Sequence, residues 1–344
     1  MYKYIYIACV VFIGLTIAFE EHLMPMQSET SDTSEMYKDL TFECRREADV
    51  LPPLDPSADL LYKYGLFLEQ QEGPKDFNEI AKYYRIAASH GHYKASTNLQ
   101  ALISQGLANS PDPQKETIEL VESAIAQGIP GAYYDMAHYL ELGFGVEQDR
   151  DKANVYFRKA ADLGSPDAQF YVASLLGRVI GTHSVVTEMR RCAAFQGHRR
   201  AAENLAVSLR VSANYNEAVQ VYQQGVKSGD AASARKLGEA FDGPPEDSLY
   251  YIALKVDKER SVRYKKISDF LEENEQLGAK LPDIDDIVPL PPAQLPSWDG
   301  SFQWQKERAT KKNLVKPNQD LVERLSAEKH LDPETGLPQK TRAM

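Results

Sequence analysis

Five glycines, Gly91, Gly128, Gly164, Gly197 and Gly229, cut the middle of the chain into units of 37, 36, 33 and 32 residues. A period of this size constrains the fold more than any other feature. It matches one supersecondary unit that cannot bury its apolar face alone and must stack on a neighbour. The surroundings of each glycine recur as well. Four residues before it stands a small residue in every copy: Ala87, Ala124, Ala160, Ala193 and Gly225. Four after it stands another: Ala95, Ala132, Ala168, Ala201 and Ser233. Eight and twelve after it come Leu99 and Ile103, Met136 and Leu140, Val172 and Leu176, Leu205 and Leu209, and Leu237 and Phe241. Steps of four keep side chains on one stripe of a helix, and small residues let two helices approach closely. Each unit therefore reads as helix, turn, helix and a glycine that ends the second helix, and the fold class is all-α.

The turns hold the expected breakers. Leu142-Gly143-Phe144-Gly145-Val146 joins the helices of the clearest copy, and Asp149 or Asp151 is placed to cap the second helix of that pair. With Lys152-Ala153, Tyr156-Phe157, Lys159-Ala160-Ala161 and Gly164, the stretch from Gly131 to Pro166 resembles a Sel-like repeat, an α/α unit similar to the tetratricopeptide repeat. The resemblance runs from Ser57 to Asp242 and weakens where Gly181 to Val185 shortens the inter-helix turn. It implies a right-handed α/α solenoid of about five to six hairpins over 57–245.

Past the repeats, the apolar stripe of Tyr250, Tyr251, Leu254, Val256, Tyr264, Ile267, Phe270 and Leu271 predicts a helical cap over 246–280. Residues 281–300 are Pro-rich and expected to be extended without helix, because proline removes donors and fixes φ. Residues 301–344 form a mildly basic tail, expected to be partly disordered, with room for one more helix between Leu314 and Leu331. The phrase Asp286-Ile287-Val288-Pro289-Leu290-Pro291-Pro292, followed by Leu295-Pro296 and Trp298-Asp299-Gly300, resembles the carboxyl-terminal signature of periplasmic Sel-like proteins. Members of that group include immunity proteins for type VI secreted phospholipase effectors. The resemblance implies a protein-binding role of that kind, in which a toxic effector is the partner.

At the other end, the uncharged run Tyr4 to Phe19 after Lys3 has the pattern of an export signal over 1–19, and a polar linker follows over 20–56. The leader is expected to place the protein in the periplasm, either cleaved or retained as a membrane anchor, and 16 residues is slightly short for a full span. Of the three cysteines, Cys9 lies inside the leader. Cys44 and Cys192 either pair in an oxidising compartment or serve as two small buried hydrophobes; both readings stand at this point.

The formal charge is −11, and because residues 301–344 carry +3, the rest carries −14. An acidic body excludes a nucleic-acid backbone as the main partner, which demands a basic surface. None of the seven histidines joins a metal-ligand pattern, and no nucleophile elbow, phosphate loop or dinucleotide fingerprint occurs. The sequence therefore predicts no catalytic residue, no metal and no cofactor, and no enzyme. It predicts a groove instead. If positions four, eight and twelve after each glycine face the core, positions six, seven and ten face outward, which selects Tyr134, Asp135, His138, Phe170, Tyr171, Glu203 and Asn204 as partner-binding candidates. A different class of role, a scaffold or regulator of an envelope complex, fits the same surface.

Overall fold

The computed structural model describes residues 40–311 and 314–339. The apolar leader and the linker up to residue 39 lie outside the described residues. Twelve helices form six consecutive hairpins: α1 (Pro56–Glu69) with α2 (Phe77–Ser89), α3 (Tyr93–Ser104) with α4 (Pro113–Ala126), and α5 (Pro130–Leu142) with α6 (Arg150–Leu163). They continue with α7 (Pro166–Leu176) and α8 (His183–Phe195), α9 (Arg199–Val211) and α10 (Tyr215–Lys227), and α11 (Ala231–Phe241) and α12 (Lys258–Glu273). Each hairpin packs on the next, and among the described residues the only β feature is an isolated bridge between Leu331 and Pro338. The chain is an α/α solenoid.

The repeat template accounts for its core. Residues four, eight and twelve after each glycine are all buried, none more than 6% exposed. Full burial of a leucine- or valine-sized side chain stabilises by about 1.5–3 kcal/mol, so the stripe is the main source of cohesion between hairpins. The five glycines have φ between 76° and 116°, the left-handed conformation that lets the second helix stop and the next begin. Helix starts are capped by short polar side chains: Asp55 accepts from Ala58 N, Asp76 from Asn78 N and Glu79 N, Asp112 from Lys115 N, Asp149 from Lys152 N, and Asp230 from Ser233 N. Of the two aspartates offered by the sequence for α6, Asp149 is the cap. His92 and His198 act in the same way. Each Nδ1 accepts the backbone N–H three residues on, Ala95 and Ala201, at 3.1 Å, so both histidines open the following helix rather than close the preceding one.

The carboxyl-terminal third departs from expectation in two places. Residues 247–257 are not helical. Pro244 and Pro245 interrupt the chain, Ala253 has φ 55°, and Val256 is 61% exposed, so the helix begins only after Asp257, whose carboxylate accepts from Arg260 N. That helix, α12, is the second half of a sixth hairpin. The Pro-rich stretch contains one helical turn, α13 (Ile284–Ile287), which buries Ile284 and Ile287 where no proline intervenes. In the tail, α14 (Gln303–Lys311) sets Trp304 against Phe270, and the helix expected between Leu314 and Leu331 is α15 (Gln319–Glu328), which returns to the first hairpin, with Val322 and Leu325 buried among Leu61, Ile80 and Tyr84.

Two buried arginines on α12 explain how a proline-rich segment is held. Proline lacks an N–H but keeps its carbonyl. Arg260 Nε donates to Pro289 O at 3.1 Å, while Arg263 donates to Ile287 O and Pro296 O, both at 2.7 Å. Tyr264 OH donates to Gln223 Oε1 at 2.6 Å, and Gln223 Nε2 donates to Val288 O at 3.2 Å, tying the same segment to α10.

Candidate partner-binding groove

On the first helices of the third and fourth hairpins, α5 and α7, several of the sequence candidates come together. Tyr134 and His138 lie one turn apart on α5, and Tyr171 comes from α7. The His138 ring is 4.6 Å from Tyr134 and 5.4 Å from Tyr171, and Tyr134 to Tyr171 is 6.0 Å. Phe157, a buried core residue of α6, closes the cluster from beneath at 4.3 Å from Tyr171. The three upper rings are half-buried over the buried Phe157. Burial raises the Tyr134 phenol to about 12, which keeps it a neutral donor at physiological pH.

Phe170 does not join them. It stacks on His198 of the next hairpin at 4.5 Å, with the Arg200 guanidinium 5.4 Å from its ring. Glu203 and Asn204 are half-buried on α9 and lie outside both aromatic groups; Glu203 faces the fifth and sixth hairpins, where Tyr222 and Lys236 feel its charge. Of the seven candidates, Tyr134, His138 and Tyr171 form an aromatic trio, Phe170 stacks on His198 outside it, Asp135 belongs to an acidic centre, and Glu203 and Asn204 lie apart from these.

The acidic centre has a further component that comes from outside the repeats. Residues 41–49 form a strap along the glycine edge of the third and fourth hairpins. Arg158 donates to Thr41 O at 2.6 Å, Gln169 Nε2 to Arg45 O at 3.0 Å, and Glu47 N to Gln196 Oε1 at 2.8 Å. A disulfide joins Cys44 to Cys192 on α8, which settles the alternatives left open by the cysteine count. The strap fits because residue 164 is glycine: a Cβ there would lie 2.8 Å from Glu47 N. It delivers Glu47, whose Oε1 accepts from Gly131 N at 3.1 Å, beside Asp135 and Asp167. Burial first, and then the charges of Asp167 and Glu47, lift the Asp135 carboxyl to about 7. His198 Nε2 is 3.4 Å from Asp167, yet burial holds its pKa below the ordinary imidazole value. Asp167, Glu47 and His198 were not among the sequence candidates. Asp167 stands three residues after its glycine, a position the template did not consider, and only the Cys44 pairing hinted at the strap.

No group of three or more His, Cys, Asp or Glu among the described residues is arranged to hold a metal ion. This face combines half-buried aromatic side chains, a carboxylate centre and a strap fixed by backbone hydrogen bonds.

Comparison with known proteins agrees with this reading of the fold. The Sel1 repeat family matches residues 58–92 and 130–165, and a domain of unknown function, DUF6396, matches 233–339. Among solved structures the chain resembles immunity protein PA5088 from Pseudomonas aeruginosa, with 27% identity and a TM-score of 0.58, over 73% of this chain and 94% of that one. Immunity protein Pa5087 from the same organism gives 26% and 0.57 over 73% and 95%, and PA5086 gives 25% and 0.55 over the same shares. A curated relative, chitin synthase regulatory factor 3 of Schizosaccharomyces pombe, is 29% identical over 152 residues, 40% of this chain but only 16% of that protein. The DUF6396 match begins within α11, takes in α12 and the Pro-rich segment, and ends in the tail on the first hairpin. The chain folds as an α/α solenoid similar to Sel1-repeat proteins, with two stretches that match the Sel1 repeat and a carboxyl-terminal region that matches DUF6396.

Proposed function

We propose that this protein is an immunity protein that binds a toxic effector in the periplasm and neutralises it. The observation that carries the reading is the likeness to the P. aeruginosa immunity proteins over nearly their whole length and three quarters of this chain. The groove supplies a physical means. Half-buried aromatic side chains on a rigid scaffold are the usual energetic anchors of protein interfaces. The carboxyl-terminal signature, within the DUF6396 match, supports a phospholipase-type effector delivered by type VI secretion as the target. An enzyme that recognises anionic phosphate gathers basic residues at its mouth, and an acidic body speeds encounter with such a surface. The Cys44–Cys192 disulfide supports an oxidising compartment, and the apolar leader supports export or anchoring there.

The test is neutralisation. Co-expression with the toxin encoded beside its gene, directed to the periplasm, is expected to restore growth, and the purified pair to co-elute with lipid hydrolysis abolished. Absence of both rescue and complex removes the reading. Similarity to a chitin synthase regulatory factor supports a second reading, a regulator of an envelope complex. A pull-down that recovers resident envelope proteins instead of a toxin would favour it.

A further inference from the structure

α5 carries Tyr134 and His138, yet its own sequence gives it no cap. Ile129 stands at the N-cap position with no side-chain acceptor, and Pro130 follows at the first helical position. The first N–H of the helix is therefore that of Gly131, and its acceptor is Glu47 Oε1 at 3.1 Å, 84 residues away in the chain. The strap supplies from outside the carboxylate that a helix start favours. Its own side chains do little to seat it. Glu43, Cys44, Arg45 and Arg46 are exposed, and Phe42 is only partly buried against the core of the third and fourth hairpins. The grip is on the strap's backbone. Gln169 and Gln196 both donate to Arg45 O, at 3.0 and 3.3 Å, Gln196 Oε1 accepts from Glu47 N at 2.8 Å, and Gln196 Nε2 also donates to Gln169 Oε1 at 2.9 Å. Hydrogen bonds made at a surface replace bonds to water at little net gain and do not offset the ordering of an extended segment. The remaining fastening is the disulfide, whose Cys192 lies one helical turn before Gln196.

We propose that the Cys44–Cys192 disulfide is a redox-controlled latch on α5. Oxidised, it seats the strap so that Glu47 caps the helix that carries Tyr134 and His138; reduced, it frees the strap and leaves that helix start uncapped. The two sulfurs differ in access, which sets the order of events. Cys44 is exposed and Cys192 only 3% exposed. A thiolate of a dithiol reductant therefore bonds to Cys44 Sγ, and the S–S bond breaks with its electron pair on Cys192 Sγ, which takes up a proton. The second thiol of the reductant then displaces Cys44, so the dithiol leaves oxidised to a disulfide and the protein keeps two thiols, reduced by two electrons. In a compartment that holds thiols reduced, α5 begins without its cap; in an oxidising one the same chain acquires it. The device stands on the fold and not on the identity of a partner, so its test and that of the immunity reading fail separately.

The measurement compares the full chain with and without dithiothreitol, read in two ways. Trypsin cleavage after Arg45 or Arg46, followed by mass spectrometry, reports strap release and is expected to accelerate at least about tenfold on reduction, because cleavage tracks the open population. Hydrogen exchange over 129–135 reports the start of α5 and is expected to rise with it, while the fifth and sixth hairpins keep their protection. Cys44→Ser combined with Cys192→Ser should behave as the reduced protein whether or not dithiothreitol is present. Glu47→Ala, kept oxidised, separates the two links: exchange at the start of α5 should rise while Arg45 and Arg46 stay resistant to trypsin. Equal cleavage of oxidised and reduced protein, no change at α5 in Glu47→Ala, or a rise in exchange through all six hairpins on reduction overturns the proposal. The first and last of these comparisons use the native protein, so they decide the matter even if a variant folds poorly.

Discussion

At the scale of single residues, Asp135 couples the groove to pH. Its carboxyl titrates near 7 in the folded chain against an ordinary value of 3.8, so between those limits the folded state holds a proton that the unfolded state has released. Its contribution is therefore fully present in acid and is lost as pH rises through about 7. Asp135→Asn should match the native protein in urea midpoint near pH 4 and exceed it at pH 8. A difference that is constant across this range would show that the carboxylate is not perturbed. Asp59 and Asp257 are held low by Lys63 and His92 and by Arg260, and they act in the opposite direction, which is why the paired variant and not the bare pH profile is the measurement. Core positions respond to volume instead. Leu99 and Leu205 are essentially fully buried, and replacing either by alanine should cost about 2–5 kcal/mol in chemical denaturation.

At the scale of elements, the hairpins were readable because one period fixes both helix length and buried face, and Leu99, Met136, Val172, Leu205 and Leu237 follow it without exception. Long-range attachments carry no period, and there the sequence fell short. Val256 and Leu249 continue an apolar pattern yet lie exposed in a loop, because Pro244 and Pro245 break the chain and Asp257 restarts it. The Pro-rich segment looked extended because its own residues offer few donors; the donors are Arg260 and Arg263, more than twenty residues away. The candidate site shows the same division. Spacing from each glycine brought out Tyr134, His138 and Tyr171, which do converge, but it could not foresee Glu47 arriving from a strap or Phe170 turning to His198. Arg263→Met should strand the carbonyls of Ile287 and Pro296, and hydrogen exchange should then rise over 284–296 while the first four hairpins keep their protection. Gly164→Ala should cost about 1–3 kcal/mol through its backbone conformation alone, with further loss if the strap is displaced.

At the scale of the whole molecule, both ends of the described chain are fastened far from where they start. The strap is joined to α8 across 148 residues, and α15 returns from beyond the sixth hairpin to the first. Arg85 locks the second tie by pairing with Glu116 at 2.6 Å and donating to Asn109 O and Thr335 O, while Gly336 sits too close to Arg85 for any side chain. Replacing both Cys44 and Cys192 by serine should lower stability by about 2–5 kcal/mol, since a cross-link over so long a loop restricts the unfolded chain strongly. Ordinary stacked-repeat proteins behave as soft springs, stretching and melting from their ends inward. A ribbon clipped in this way has lost that elasticity. It should melt in one step rather than peel, meet its ligand at a preset curvature, and show the same radius of gyration by small-angle scattering free and bound, expanding only when reductant opens the clasp.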